Sequence, residues 1–336
     1  MSTDSTRVHP SLENHGLRLM IAVVGAAALG MAINDYLVAL LGPVIAAALV
    51  VPGQPAAPPG KLLAIPVVMW ILGQAVLAVT ALLVSNTDVL VLVFTGFTFL
   101  AFHRDATKGP DALIGLALIV LVAIGTFAAT SITAAAILVD GLALGALAAV
   151  LGTLFAYGVF PSKAEATAKP ESEVSRSPLR ESLGRTAILM VLFGYFVITE
   201  KHDSLYILIT AVTVLRLPSA ALGAMGLIAA NIIGGAIALI AAVLISTNPS
   251  ELFGIVLFAA MILSLGLAAE RGGAFGALAK GATGISVILL VIALAPSDGS
   301  EAYLSRVFEI FLTAAFVLLG RCIVDAPPED TETATA

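Results

Sequence analysis

The sequence predicts an all-α polytopic integral membrane protein of about twelve helices, arranged as two parallel six-helix repeats. Hydrophobic residues make up 60% of the 336 positions, charged residues make up 11%, and the mean hydropathy is +1.07. A chain of this composition uses lipid as its main solvent. A bilayer accepts only helices or closed barrels, and the apolar runs here are helix-length blocks rather than alternating strands of about ten residues.

Several classes of function lack a motif in this chain. Its single cysteine, Cys322, excludes an intrachain disulfide and a paired-cysteine zinc site. We find no Walker loop, dinucleotide glycine pattern, HExxH or Ser-His-Asp order. The sequence therefore predicts no enzyme activity, no cofactor and no bound metal, and it offers no basic groove for nucleic acid. Residues 1–16 lack the features of a cleavable signal peptide, which predicts a mature N-terminus in a cytoplasmic tail.

Polar breaks divide the chain into two halves. The first half covers 17–160, a linker rich in Ser, Ala, Glu and Lys covers 161–185, the second half covers 186–323, and 324–336 form a cytoplasmic C-terminal tail. The predicted apolar blocks are 17–32, 36–51, 62–84, 89–102, 112–129, 133–160, 186–199, 205–215, 223–246, 252–269, 278–295 and 303–323. The seventh and eighth are shorter than the roughly 20 residues of a full span, which predicts half-length, broken or internally packed helices.

The distribution of positive charge predicts an orientation. With the N-terminus in the cytoplasm, fourteen of the sixteen Lys and Arg residues lie inside, and only Lys201 and Arg306 lie outside. This satisfies the positive-inside rule and predicts that both termini are cytoplasmic.

The two halves show similar landmarks, which predicts an internal repeat. Matching their Ser85 and Ser246 helix ends places Gly73-Gln74 opposite Gly234-Gly235, and matching 160–161 with 326–327 places Asp140 opposite Arg306. Because six spans per repeat is an even number, the repeats run parallel about an axis along the membrane normal.

Five segments together resemble the fusaric-acid-resistance-like superfamily, in its compact bacterial branch related to aromatic acid exporters. The segments are LLGPVIAAAL (40–49), FLAFHRDATKG (99–109), YGVFPSKA (157–164), LIAANIIGGAIAL (227–239) and SRVFEIFL (305–312). The resemblance spans nearly the whole chain. It implies a bacterial inner-membrane efflux permease for aromatic or other organic acids, often beside a periplasmic membrane-fusion adaptor protein. This chain departs from larger aromatic acid exporters in having a short linker in place of a sizeable cytoplasmic domain.

Ionisable residues inside apolar blocks are the first candidates for a transport pathway, because each costs at least about 2.5 kcal/mol to insert. Asp140 lies about two turns inside the sixth block, where it either couples transport to protons or pairs with Arg306 and ties the halves together. Arg306 and Glu309 share a face of the last helix and either pair with each other or bind an organic carboxylate through Arg306.

Polar residues in the middle of the two long related spans are further candidates. Asn231 and Gln74 each either bind substrate or hydrogen-bond a neighbouring helix. Asn231 is favoured because Gly234 and Gly235 allow close backbone approach near mid-depth. Ladders of small residues at four-residue spacing predict close helix packing, at Gly226, Ala230 and Gly234 and at Gly141, Gly145 and Ala149.

Charged loops on the cytoplasmic side form the last candidate group. The first contains His103 and Arg104, and Glu270 and Arg271 hold the corresponding place in the second half. They form either an entrance vestibule for anions or an ordinary positive-inside anchor. Trp70, Phe97 and Phe102 either line a passage for aromatic substrates or fill the core and face lipid.

The sequence thus predicts a secondary efflux permease, driven most simply by the proton gradient because intramembrane acids can carry protons. Its predicted partners are the lipid bilayer, a small organic acid, a periplasmic adaptor and, as a further possibility, another copy of the chain. The alternatives are a passive anion channel, which needs no proton-coupling acid, and a scaffold that recruits an adaptor without transport of its own. The scaffold would need polar contact surfaces outside the bilayer, and this chain has almost none.

Overall fold

A computed structural model describes residues 14–51, 54–109, 111–162, 177–199, 205–216, 220–248, 250–293 and 299–325. Within these ranges the chain forms twelve α-helices and no strand, which confirms the predicted all-α class. The helices are α1 (His15–Ala32), α2 (Tyr36–Leu49), α3 (Pro59–Leu83), α4 (Thr87–Lys108), α5 (Ala112–Thr130), α6 (Ile132–Val159), α7 (Pro178–Thr199), α8 (Leu205–Leu215), α9 (Ala220–Thr247), α10 (Glu251–Glu270), α11 (Gly273–Ala293) and α12 (Gly299–Asp325).

Eight helices in the described part are long and apolar enough to cross a membrane. They include α6, in which the candidate span reaches 28 residues, and shorter apolar stretches occur in α2, α5 and α12. At about 1.5 Å per residue, a helix of about 20 residues covers the hydrocarbon core of a bilayer. The helices therefore form a multi-pass membrane bundle, as the composition predicted.

The predicted boundaries were wrong at two places where polar residues continue a helix. The seventh helix starts at Pro178 and is 22 residues long, so it is a full-length candidate span rather than a short one. Its first turns contain Glu181 and Arg185, which form an i,i+4 ion pair. Hydropathy does not detect these first turns, because Glu and Arg are unfavourable in lipid. Both residues nevertheless have a high helix propensity, so the helix continues through them. Residues 163–176 of the predicted linker lie outside the described part.

The fourth helix also continues further than predicted, to Lys108. His103 and Arg104 therefore lie in its last turns, not in a loop. His103 stacks on Phe99 one turn earlier, with ring centroids 5.6 Å apart. The helix ends at Gly109, whose φ of 81° is easily adopted only by glycine.

The second helix of each half is short. α2 has 14 residues and α8 has 11. Their rise is about 21 Å and about 16 Å, less than the roughly 30 Å of hydrocarbon in a bilayer. The prediction of a short eighth helix is confirmed.

The four largest helix contacts between the two halves form two matched pairs. α1 packs on α10, and α7 packs on α4. Likewise α2 packs on α11, and α8 packs on α5. In each case the two contacts are equivalent if helices 1–6 of the first half are matched in order with helices 7–12 of the second half, so that α1 corresponds to α7 and α4 to α10. Within the halves the largest contacts join α9 to α11, α1 to α2, and α6 to α1, α2 and α3.

One end of the bundle, here named the basal end, gathers the starts of α1, α5, α7 and α11 and the ends of α4, α6, α8, α10 and α12. The backbone N–H of Gly16 in α1 donates to Glu270 at the end of α10, at 2.7 Å. Arg216, after α8, contacts the turn between α4 and α5. Gly184 of α7 packs against Val324 of α12.

Small residues bring several helices close, as the ladders predicted. In α6, Gly141 and Gly145 lie under Leu37 and Leu41 of α2, where a Cβ would come within 2.8 Å and 3.1 Å of those side chains. In α9, a Cβ on Gly234 would lie 2.8 Å from the carbonyl oxygen of Ala282 in α11. Gly226, in contrast, has open space at its Cβ position.

Candidate functional site

An apolar cavity lies between α3, α4 and α5. Its volume is about 360 Å³, within the range of about 300–1,000 Å³ that is usual for small-molecule sites. Among its described lining residues, Arg104 is the charged one, and the rest are apolar. They are Leu72, Ala75, Val76, Val79, Phe94, Phe97, Leu100, Ala101, Arg104, Ile114, Ala117, Leu118 and Leu121.

Arg104 lies at the basal end of this cavity because it belongs to the last turns of α4. Its side chain is 45% exposed, and Nη1 lies 3.4 Å from a carboxylate oxygen of Asp111. An ion pair this exposed contributes little free energy, so the guanidinium can exchange it for a ligand carboxylate at small cost. The planar guanidinium fork also fits a carboxylate in a bidentate manner.

Aromatic rings form part of the cavity wall. Phe97 is half exposed on α4, and Phe94, one turn away, is buried against Phe193 with ring centroids 5.4 Å apart. Of the three aromatic residues that were predicted to line a passage, Phe97 lines this cavity. Phe102 is fully buried in the core instead, and Trp70 bonds elsewhere. The cavity therefore offers an apolar, partly aromatic body and one cationic end.

An ion pair with a buried carboxylate lies at the basal end, next in sequence to Arg104. Arg216 Nε lies 2.6 Å from Asp105 Oδ2, and the Asp105 side chain is 2% exposed. The other Asp105 oxygen accepts from the backbone N–H of Asp111 at 3.2 Å, and Arg216 Nη2 donates to the Asp111 carbonyl. A Cβ on Gly115 would overlap the guanidinium. The second half of the chain is thus fastened to the α4–α5 turn of the first.

Three further arginines are buried near the basal end. Arg18 in α1 lies over the Tyr157 ring, 5.3 Å from its centroid, and donates to the Pro161 carbonyl at 3.4 Å. Arg321 in α12 donates to the Val214 carbonyl in the last turn of α8, at 3.2 Å, where a helix dipole favours a cation. Arg185 pairs with Glu181. Among the described residues the fully buried charged side chains are these three arginines and Asp105.

A second cavity, of about 450 Å³, occupies the equivalent position between α9, α10 and α11. Ser264 is the polar residue among its described lining residues, and Arg271 does not line it. Glu270, at the end of α10, accepts from the start of α1 instead. Of the four predicted vestibule residues, Arg104 is the one that appears among the described lining residues of either cavity.

Asp140 lies exposed at the surface of α6. Its Oδ1 accepts from the indole N–H of Trp70 in α3, at 3.2 Å, so the bond stays within the first half. The predicted partner Arg306 and its neighbour Glu309 belong to α12, but their side chains lie outside the described part.

The predicted mid-helix amides do not line either cavity. Gln74 is half buried on α3, between the lining residues Leu72 and Val76. Asn231 is buried on α9 at 9% exposure. One turn later Gly234 is closed off by α11, and its carbonyl accepts from Ser286 at 3.0 Å. Gly234 therefore serves helix packing at this point.

Sequence reasoning missed the buried pair Asp105–Arg216 and the buried arginines 18 and 321. Their basic residues satisfied the positive-inside rule, which gave no reason to expect burial. One signal was available. Arg216 directly follows the 11-residue helix α8, which is too short to cross a bilayer, so a charge at its end is expected to lie inside the bundle. No protein-family model, curated protein or solved structure matches the chain.

Proposed function

We propose that this chain is a secondary permease of the bacterial inner membrane that exports aromatic or other organic acids. The observation that carries the proposal is the cavity between α3, α4 and α5, with Arg104 at its basal mouth and Phe97 on its wall. An organic acid is complementary to this cavity, because its apolar body fits the apolar wall and its carboxylate can pair with Arg104. Sites of this kind orient a ligand by a few polar groups on an otherwise apolar surface.

The basal end faces the cytoplasm in this proposal, with both termini inside. Under the predicted topology, fourteen of the sixteen Lys and Arg residues lie on that side, and cytoplasmic loops of membrane proteins carry such an excess. Arg104 then meets the substrate where an exporter must collect it.

Two parallel six-helix repeats form the architecture of the proposed permease. The matched contacts between halves, α1 with α10 and α7 with α4, support it. So do the two cavities, which occupy corresponding positions in the halves. Transporters built from repeats commonly move one repeat against the other around a site at their interface, whereas the proposed site lies within the first half.

A proton gradient is the proposed energy source, and a passive anion channel is the alternative. The exposed position of Asp140 favours the channel, because a coupling acid has to lie in the substrate's path. A periplasmic adaptor protein is a proposed partner of the permease. A scaffold without transport would leave the cavity and its arginine without a role.

The test is uptake of radiolabelled aromatic carboxylates into inside-out vesicles, with and without an imposed proton gradient. We expect Arg104→Gln to lose at least tenfold in uptake, because it removes the cation at the mouth. Lys108→Gln is the matched control, since it removes the same charge one turn later on α4, where the residue is exposed and lines no cavity.

Equal uptake by Arg104→Gln and wild type would overturn the proposed site. Uptake that equilibrates without the gradient would identify a channel, and absence of flux from a broad panel of acids would leave the scaffold. Lys108→Gln must retain uptake if the loss in Arg104→Gln is to be assigned to the site, whether the protein is a permease or a channel.

A further inference from the structure

A negative charge lies beside Arg104 at the basal end of the cavity between α3, α4 and α5. Asp111 directly precedes α5, and one of its carboxylate oxygens lies 3.4 Å from Arg104 Nη1. A ligand carboxylate that pairs with Arg104 either replaces the Asp111 carboxylate or lies directly beside it. The anionic end of a ligand therefore meets Asp111 at this point.

The backbone of Asp111 is held from both sides. Its N–H donates to Asp105 Oδ1 at 3.2 Å, and its carbonyl oxygen accepts from Arg216 Nη2 and from the N–H of Gly115 in the first turn of α5. Because an aspartate side chain is short, a fixed backbone keeps its carboxylate in one small region. The negative charge of Asp111 thus stays near Arg104 even when their ion pair is broken.

The interlocked charges at this point balance each other. Arg104 and Arg216 are the cations of the group, and Asp105 and Asp111 are the anions. Arg216 is engaged by the buried Asp105 carboxylate, so Arg104 is the cation of this group that a ligand can pair with. The other described residues that line the cavity are apolar. A first negative charge on a ligand therefore finds a partner in this group, and a second one meets Asp111.

We propose that Asp111 selects the charge of the ligand, so that the cavity binds organic acids with one negative charge in preference to those with two. This inference rests on the function proposed above. The Coulomb repulsion from Asp111 is proportional to the charge of the ligand, so a dianion is penalised about twice as much as a monoanion. A second carboxylate that points into the apolar cavity loses its hydration without gaining a partner, which adds to the same selection.

Asparagine at position 111 removes the charge with little other change. Asp111 is the N-cap of α5, because its carbonyl oxygen accepts the first hydrogen bond of the helix, from Gly115. Asparagine is as good an N-cap as aspartate, and its backbone can keep the bonds to Asp105 and Arg216. We therefore expect Asp111→Asn to have the same midpoint of thermal unfolding as the wild type.

Equilibrium binding to the purified protein at neutral pH tests the inference with two ligands of similar shape. Phthalate has two ionised carboxylates, whereas monomethyl phthalate has one, because its second carboxyl group is esterified. We expect Asp111→Asn to raise the affinity for monomethyl phthalate about threefold and the affinity for phthalate about tenfold, since the repulsion removed is about twice as large. Each gain is measured against the wild type with the same ligand, so the ester itself does not affect the comparison.

Asp88→Asn is the matched control. Asp88 is an exposed acid in the first turn of α4, at the opposite end of the helix that contains Arg104. Its removal changes the net charge by the same amount and should change the affinity for either ligand by less than about twofold, because water and salt screen charges at this separation.

Equal gains for the two ligands in Asp111→Asn, or no gain for either, would overturn the inference. Arg104→Gln tests the proposed site separately. If the wild type binds these ligands and Arg104→Gln loses them, the site stands, and Asp111→Asn alone decides the charge selection. If Arg104→Gln binds as tightly as the wild type, or the wild type binds neither ligand, the proposed site and this inference both fail.

Discussion

Arg216 and Asp105 are 111 residues apart in sequence, yet their side chains meet at 2.6 Å at the basal end of the bundle. Arg216 follows the short helix α8 of the second half, and Asp105 belongs to α4 of the first. The pair therefore joins the halves within one residue of Arg104, the cation at the mouth of the first cavity.

Breaking this pair should destabilise the protein. We expect Asp105→Asn to lower the free energy of unfolding by about 2–3 kcal/mol, because it leaves the Arg216 guanidinium without its buried counter-charge. Arg104→Gln breaks only the exposed contact with Asp111 and should cost less than about 1 kcal/mol. Denaturant unfolding in detergent micelles measures both changes. Similar losses for the two variants would contradict the structure.

Glycine at position 115 should be required for the same contact. A side chain on Gly115 would overlap the Arg216 guanidinium, so we expect Gly115→Ala to cost about 1–3 kcal/mol. Gly96→Ala on α4 is the control, because nothing lies near its Cβ position. Alanine there should be neutral or stabilise the helix by up to about 1 kcal/mol. Thermal unfolding distinguishes the two, and a harmless Gly115→Ala would show that Arg216 is free to move aside.

The packing of α9 on α11 gives a third prediction. Gly234→Ala would bring a methyl group within 2.8 Å of the Ala282 carbonyl oxygen and disturb the Ser286 hydrogen bond, whereas Gly226→Ala meets open space. We expect a lower midpoint of thermal unfolding for Gly234→Ala only. Because Asn231 lies one turn away, a normal midpoint combined with lost substrate binding would instead favour a binding role for this segment.

Filling the first cavity should block ligand binding without unfolding the protein. Ala117 lines this cavity, so we expect Ala117→Phe to weaken binding of a radiolabelled aromatic carboxylate at least tenfold. The same change at Ala260 fills the second cavity, which has no cation among its described lining residues, and should leave binding within about twofold of wild type. Equilibrium binding to purified protein measures both. If only Ala260→Phe loses binding, the substrate occupies the second cavity.

Hydropathy predicted the helices well because the formation of a membrane helix depends on a local property, the apolar character of a run of about 20 residues. Every predicted block corresponds to a helix, since an apolar run of this length can satisfy its backbone only within itself. It failed where polar residues extend a helix, as at Pro178 and Lys108. The basal ends of these helices leave the apolar environment while their backbone hydrogen bonding continues.

The sequence did not predict in which direction the candidate side chains point. Arg104 was singled out as a charge at the membrane surface, and the structure places it at a cavity mouth. Asp140 was expected near the substrate path, but its carboxylate is exposed beside Trp70. A sequence gives the depth of a residue along a helix, but the direction in which its side chain points depends on which helices pack around it.

The sequence by itself determined that this protein is an all-α membrane protein, and it predicted a division into two halves and a common side for the positive charges. These follow from composition and from patterns within a single helix length. The tertiary structure decided that Arg216 meets Asp105, that Arg104 borders an apolar cavity and that Gly234 serves packing. Such contacts join residues far apart in the chain, and their geometry is set by the mutual rotation of packed helices, which no local pattern records.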